Sequence, residues 1–319
     1  MKQKSCFITG ILGFVGSNLA HKLLSEGFNV SGCDDLSFGS NQNLIDLNIY
    51  HQCDVIIDDF ANLNLSNYDV VIHCATSNII FAQNNKQETI YNNYTKLKNS
   101  LLNNKLNTRI IYISTASVYG SASIIPTPES AHIKLTNAYA ESKWLGELLF
   151  QNQTILRLSN VYGTNQRASN PYSGVIGKFI NASLNNSKLE VIGDGLQTRD
   201  FTHISDVCNA IFNAISLNAY GTFNIASNTQ TSILQLIHIL KIHSSQISYI
   251  QKRPIDNIQN RCLNIDKAKK YLNYYPLIDI QTGLNLTIQF QKIKYKLLLT
   301  ELQKGIFVHP KEINLHSYS

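Results

Sequence analysis

The strongest constraint on this chain lies at its start. An apolar run stops on glycines and gives way to a helical pattern: SCFITG (5–10) leads through Gly10, Gly13 and Gly16 into SNLAHKLLSEG. Glycines at that spacing let the backbone turn tightly and let N–H groups approach a pyrophosphate, and the last lets helix and strand pack closely. The helix N-terminus adds partial positive charge at the same point. Such a strand–turn–helix predicts an acidic residue at the end of the second strand, about 20 residues on. FNVSGCD ends at Asp34-Asp35. A carboxylate there accepts from ribose hydroxyls and repels a 2′-phosphate, which predicts NAD rather than NADP. Asp54, placed after the third predicted strand, is a candidate to meet the adenine ring.

The rest of the first half repeats the rhythm. SCFITG, FNVSGCD, NIYHQCDV, YDVVIHCA and TRIIYIS read as five strands, apolar throughout rather than alternating, as in a parallel sheet covered on both faces. SNLAHKLLSEG and NNYTKLKNSLLNN between them carry helical spacing. The expected fold class is α/β: a doubly wound parallel sheet of Rossmann type with right-handed crossovers. A helix over 137–150, a sixth strand at TILRLSNV and a seventh at GTFNIAS follow, and KIKYKLLLTELQKG predicts a terminal helix. Shorter elements elsewhere suggest a smaller C-terminal substrate lobe. The expected division is 1–163 with 201–227 for the dinucleotide-binding unit, and 164–200 with 228–319 for the lobe.

Composition excludes several classes. In 319 residues the net charge is +6, carried by dispersed Lys and Arg, so no nucleic-acid surface is indicated. No apolar run of about 18 residues occurs, which argues against a membrane span, and no secretory h-region precedes the first strand. The six cysteines form no ligand pairs. They read as buried, reduced thiols in a cytoplasmic protein, without a metal.

The reactive candidates stand in the middle of the chain. Tyr139-Ala-Glu-Ser-Lys143 places a phenol and an ammonium four residues apart on one helical face. A free tyrosine, with a pKa near 10, is a poor base at neutral pH, and an adjacent ammonium stabilises its phenolate. That phenolate can take a proton from a sugar hydroxyl. Upstream, YISTASVYG ends the fifth strand at the carboxyl edge of the sheet, where Thr115 can hydrogen-bond the same substrate oxygen.

With these residues in place, the sequence resembles the extended short-chain dehydrogenase/reductase family, in its NAD-dependent sugar epimerase/dehydratase branch (UDP-glucose 4-epimerase-like). GxxGxxG at 10–16, GCDDLS, HCA at 73–75, STASVYG, YAESK, LRLSNVYG and GDGLQTRDFTHISDV fall in the family's order and cover nearly the whole chain. The resemblance implies a catalytic set of Thr115, Tyr139 and Lys143. It implies an NAD site of Gly10, Gly13, Phe14, Val15, Gly16, Asp34, Asp35, Asp54, Val55, Cys74, Ala75 and Asn93, completed by Tyr139 and Lys143. For a nucleotide-diphosphate sugar it implies Ser114, Thr115, Asn160, Val175, Arg199 and Arg253, with the segment 171–176 lining the pocket. Two guanidiniums on one diphosphate would make strong charge-assisted bonds. Asp206 is expected to cap or orient the helix that follows it. A homodimer and a pathway feeding surface polysaccharide are also implied.

Departures from the family pattern narrow the chemistry. Dehydratases of this branch carry Asp-Glu directly after the catalytic Thr, and here Ala116-Ser117 follows Thr115. Thr76-Ser77-Asn78 replaces small residues after HxA. Asn93 is retained, but Tyr94-Thr95 departs from the usual helix start, which leaves altered specificity or weakened catalysis open. The leading expectation is NAD-dependent C4 epimerisation through a transient 4-keto sugar. The alternatives are an NAD(P)H-dependent 4-keto-sugar reductase of deoxysugar synthesis and a non-catalytic NAD-binding protein. A broken Tyr–Lys pair would mark the last, and here the pair is intact.

Overall fold

A computed structural model describes residues 4–104, 108–166, 174–251 and 258–303. Its strands are β1 (Ser5–Thr9), β2 (Asn29–Asp34), β3 (Asp54–Ile57), β4 (Val70–His73), β5 (Arg109–Thr115), β6 (Thr154–Leu158), β7 (Asn160–Tyr162), β8 (Leu189–Ile192), β9 (Thr198–Arg199), β10 (Phe201–His203), β11 (Gly221–Ile225), β12 (Thr231–Ser232) and β13 (Ile247–Ile250). The helices are α1 (Phe14–Ser25), α2 (Gln42–Asp46), α3 (Ile79–Ala82), α4 (Lys86–Ile90), α5 (Lys96–Asn104), α6 (Ala138–Leu149), α7 (Val175–Asn185), α8 (Ile204–Ser216), α9 (Ile233–Ile239), α10 (Asp266–Leu272) and α11 (Ile280–Gln303). One π-turn, Tyr91–Thr95, joins α4 to α5.

Seven strands form one parallel sheet in the order β11-β6-β5-β4-β1-β2-β3. Chain order reverses between β1 and β4, so the crevice for a ligand opens at their carboxyl ends. The unbroken apolarity of the strands has its cause here, since β4 and β6 are buried along their whole length and β5 at all but its ends. Cys6, Cys33, Cys208 and Cys262 are buried free thiols, and Cys53 and Cys74 are half-buried ones.

Two predicted strands are corrected. The third was expected over 48–55, but Tyr50–Gln52 form a 3-10 turn and the strand is Asp54–Ile57. Asn48 takes a left-handed conformation, φ +57°, and Ile49 turns into the main core instead of extending. Asp54 therefore opens β3 rather than following it. The sixth strand, expected over 154–161, breaks at Ser159, whose hydroxyl donates to the Asp200 carbonyl. Beyond the break, β7 leaves the large sheet and pairs with β10.

A second core gathers residues such as Phe179, Leu189, Val191, Leu236 and Leu284, beside the parallel pair β8–β13. Leu263, Ile265, Ala268, Leu272 and Tyr274, expected in the smaller lobe, instead join the main core, where α10 packs on β11 and α8. Asp206 lies in the first turn of α8, but His203 is the cap; the Asp206 carboxylate accepts from the amides of Leu277 and Ile278, both at 3.1 Å. α11 spans the two cores. Leu284 sits in the second core, Gln291 donates to the Gln166 carbonyl at 3.4 Å, and Lys294 pairs with Asp46 of α2.

Beneath the carboxyl edge lies a closed polar network. Arg157 reaches Glu147 through Nε at 3.0 Å and Nη2 at 2.6 Å, and donates through Nη1 to the Tyr119 hydroxyl at 2.8 Å, which donates to Asn224 at 2.7 Å. Both ions are buried, so removing one strands the other in a dry site. Arg157→Met should therefore lower unfolding free energy by about 3–5 kcal/mol in urea titration, and replacing Glu147 by Leu in the same chain should recover much of the loss.

Candidate active site

The glycine turn is a steric necessity. Gly10 has φ +71°, and a Cβ on it would lie 2.9 Å from the backbone of Ala75. A Cβ on Gly16 would lie 2.1 Å from the Gly10 carbonyl oxygen, so only glycine lets α1 approach β1 this closely. Gly13 precedes α1 as its cap residue, and no described side chain satisfies the amides of the first turn. Phe14 and Val15, expected at the cofactor, begin that turn half-buried and lean on the main core.

A cleft opens in front of this turn. Asp34 closes its far side. One carboxylate oxygen accepts from the Leu12 amide at 3.1 Å and the other from the Leu36 amide at 3.0 Å, which fixes the side chain, while burial raises its pKa. Asp35, exposed, accepts from the Ser37 amide at 2.9 Å. Cys74, Ala75 and Asn93 line the cleft, but Asp54 and Val55 do not. With β3 displaced along the sequence, Asp58 and Asp59 stand at its carboxyl end instead, and Asp59 pairs with Lys96 at 2.6 Å. The pair was legible as two acids ending the apolar run DVII, once that run and not NIYHQCDV is taken as the strand.

Thr115 ends β5, and its Oγ1 accepts from the Ser117 amide at 3.1 Å. Tyr139 stands in the first turn of α6, whose cap Asn137 accepts from the Ala140 amide at 2.8 Å. Burial raises the Tyr139 phenol, and a hydrogen bond with Thr115 opposes the rise. The sequence pattern credited Lys143 with that lowering. In the structure Lys143 is buried, and its ammonium lies over the ring of Tyr112, 4.3 Å from the centroid. Burial pulls its pKa down to about 8, against the pull of Cys74 and Glu147.

Other expected contacts are redirected. The Ser114 hydroxyl donates to Glu147 inside the buried network, so it faces away from the site. Asn93, carried by the π-turn, accepts from the Ser77 amide at 2.7 Å and donates to the Ser77 carbonyl and the Ser142 hydroxyl. It clamps the loop after β4 onto the helix of Tyr139. The unusual Thr76-Ser77-Asn78 supplies this clamp and the Asn78 cap of α3. Asn160 keeps a buried amide oxygen without a partner among the described residues. Val175 opens α7 and packs on the second core. Arg199 donates to the carbonyls of Thr198 and Ile258, both at 2.8 Å, and so fastens the segment at 258. Arg253 and positions 171–173 lie outside the described residues.

Residues 6–226 match the NAD dependent epimerase/dehydratase family. The chain belongs to that family. It is 33% identical over 317 residues to the UDP-N-acetyl-alpha-D-glucosaminuronate decarboxylase of Bacillus cytotoxicus, covering 90% of this chain and 98% of the relative. It is 29% identical to a putative UDP-glucose 4-epimerase of Methanocaldococcus jannaschii, covering 89% and 97%. Among solved structures, the UDP-N-acetylglucosamine 4-epimerase of Methanobrevibacter ruminantium, in complex with UDP-N-acetylmuramic acid, superposes with a TM-score of 0.81 at 27% identity, covering 92% and 100%. NAD is the cofactor of this family member. The residues present fit it: a turn with no room for side chains, uncapped amides for a pyrophosphate, and Asp34 for ribose hydroxyls. Among the described residues no helix is long and apolar enough to cross a membrane.

Two outcomes follow from this geometry. Gly16→Ala should weaken NAD binding by about tenfold or more, roughly 1.4 kcal/mol, read by calorimetric titration against the same protein's thermal midpoint. Burial also pulls His73 down to about 3 and His203 down to about 4, so both stay neutral in the folded chain at pH 5 while an unfolded histidine near 6.5 is charged. The unfolded state then binds more protons, and stability is lost as pH falls from 7 to 5, by on the order of 2 kcal/mol for each histidine. Urea midpoints at the two pH values check it, and His203→Asn should flatten the dependence.

Proposed function

We propose that the protein is an NAD-dependent nucleotide-sugar epimerase that inverts C4 through a transient 4-keto sugar. The observation that carries the reading is the set Thr115, Tyr139 and Lys143 with no carboxylate at the two positions after Thr115: buried Ala116 and Ser117 stand there, and the Ser117 hydroxyl accepts from Thr115 at 3.2 Å. Neither can act as the acid and base of water elimination. When bound, NAD supplies the oxidant that takes up the C4 hydrogen with its electron pair and gives it back.

The chain's own residues handle the proton and the geometry. Thr115 hydrogen-bonds the C4 oxygen and holds it against the Tyr139 phenol, which as phenolate takes the hydroxyl proton and returns it after the sugar has turned over. Lys143 as ammonium favours the phenolate. Asn160 offers an acceptor that suits a sugar hydroxyl, and Arg199 holds the segment at Ile258 through its carbonyl.

A second reading has one specific support, the 33% identity with a uronate decarboxylase. There the same C4 oxidation makes a β-keto acid, which loses CO2 before reduction. The purified protein, supplied with catalytic NAD, should interconvert the C4 epimers of a UDP-hexose or UDP-N-acetylhexosamine with no net change in NADH. Release of CO2 from the UDP-uronate with no epimerisation of the neutral sugars would replace the proposal by the second reading. Stoichiometric oxidation of NADH by a 4-keto sugar would replace it by a reductase. Tyr139→Phe should cut turnover by about 100-fold or more while NAD binding stays within about twofold.

A further inference from the structure

A buried ammonium is costly unless something favours its charged form. Lys143 is 2% exposed, and among the described residues its ammonium has no carboxylate or hydroxyl within hydrogen-bonding distance. What it does have is the face of Tyr112, a fully buried residue of β5, at 4.3 Å. Tyr112 is itself fixed on every side. His73 stacks parallel to its ring, 5.8 Å away at 9°, and Phe150 packs at 5.1 Å. Its hydroxyl meets the carbonyl of Lys143 at 3.4 Å. It also lies against Gly146 so closely that a Cβ there would be 2.1 Å from the phenolic oxygen. The helix of the reactive pair thus carries a glycine where the ring must pass.

We infer that the π-face of Tyr112 is the seat of the Lys143 ammonium, and that Tyr112 is a positioning residue which keeps that group charged and aimed at the carboxyl edge of the sheet. An aromatic face attracts a cation most strongly when water is excluded. The groups around the ammonium can be named. β4 contributes His73, held neutral by burial, and the residue after it, Cys74; β5 contributes Tyr112, a neutral phenol; α6 contributes Glu147 and, beside Tyr112, Tyr139. Glu147 is neutralised by Arg157 at 2.6 Å. The ring, 4.3 Å from the ammonium, therefore adds its attraction for the charged lysine to the pull of Cys74 and Glu147. The inference rests on the proposed function only in taking Lys143 to act as an ammonium, and its test needs neither substrate nor NAD.

The test reads the lysine directly. Protein labelled with ¹³C at lysine Cε is titrated by NMR, and the Lys143 resonance is assigned by its loss in Lys143→Met. Tyr112→Phe keeps the ring and should titrate like the parent. Pentafluorophenylalanine at position 112 keeps the six-membered ring beside Gly146 but removes the negative face. Losing that attraction disfavours the charged form, so the Lys143 midpoint should fall by about one pH unit. An unchanged midpoint in the fluorinated protein overturns the inference, as does an equal fall in Tyr112→Phe. A shifted midpoint in a protein that turns over no nucleotide sugar would leave the seat in place and remove the proposed function alone.

Discussion

The missing side chain at Gly16 sets everything downstream. Because α1 can lie directly on the Gly10 carbonyl, the first helix points its amides at the carboxyl edge of the sheet instead of standing off from it. That close approach fixes where a pyrophosphate can sit. The positions of Asp34, of the Cys74–Ala75 strand end and of Thr115 then follow from the parallel register of β2, β4 and β5 with β1 and with each other. A parallel sheet with both faces covered has little freedom to adjust one strand without its neighbours, so the site inherits the precision of the packing beneath it.

A second tier lies beneath Thr115 and the helix of Tyr139. Ser114, Glu147, Arg157, Tyr119 and Asn224 form a chain of hydrogen bonds that crosses from β5 through α6 and β6 to β11. Charged groups of this kind add little stability over an apolar core, yet once present they admit few alternative arrangements. Their effect here is to tie α6 to the strand that carries Thr115. Asn93 ties the same helix, at Ser142, to the loop after β4.

The alternation of apolar strands and helical segments made the sheet legible, and the glycine spacing with Asp34 made the cofactor end legible. What escaped the sequence did so for identifiable reasons. NIYHQCDV and DVII are both apolar enough for a strand, and only the left-handed Asn48 and the inward turn of Ile49 decide between them. Ser114 and Asn93 sit where ligand-binding residues belong, but their hydrogen bonds go to Glu147 and Ser77, partners distant in sequence. The spacing of Tyr139 and Lys143 correctly puts both on one helix; it carries no information about Tyr112, which comes from another strand.

The route of the last helix has a mechanical side. α11 begins beside the second core, where Gly283 admits the hydroxyl of Tyr162, and runs to α2, next to the glycine turn, where Lys294 meets Asp46. It therefore bridges the second core and α2, with Gln291 holding the Gln166 carbonyl on the way. The packing of the second core and the place of α2 beside the glycine turn are thereby fastened to one and the same rod of backbone.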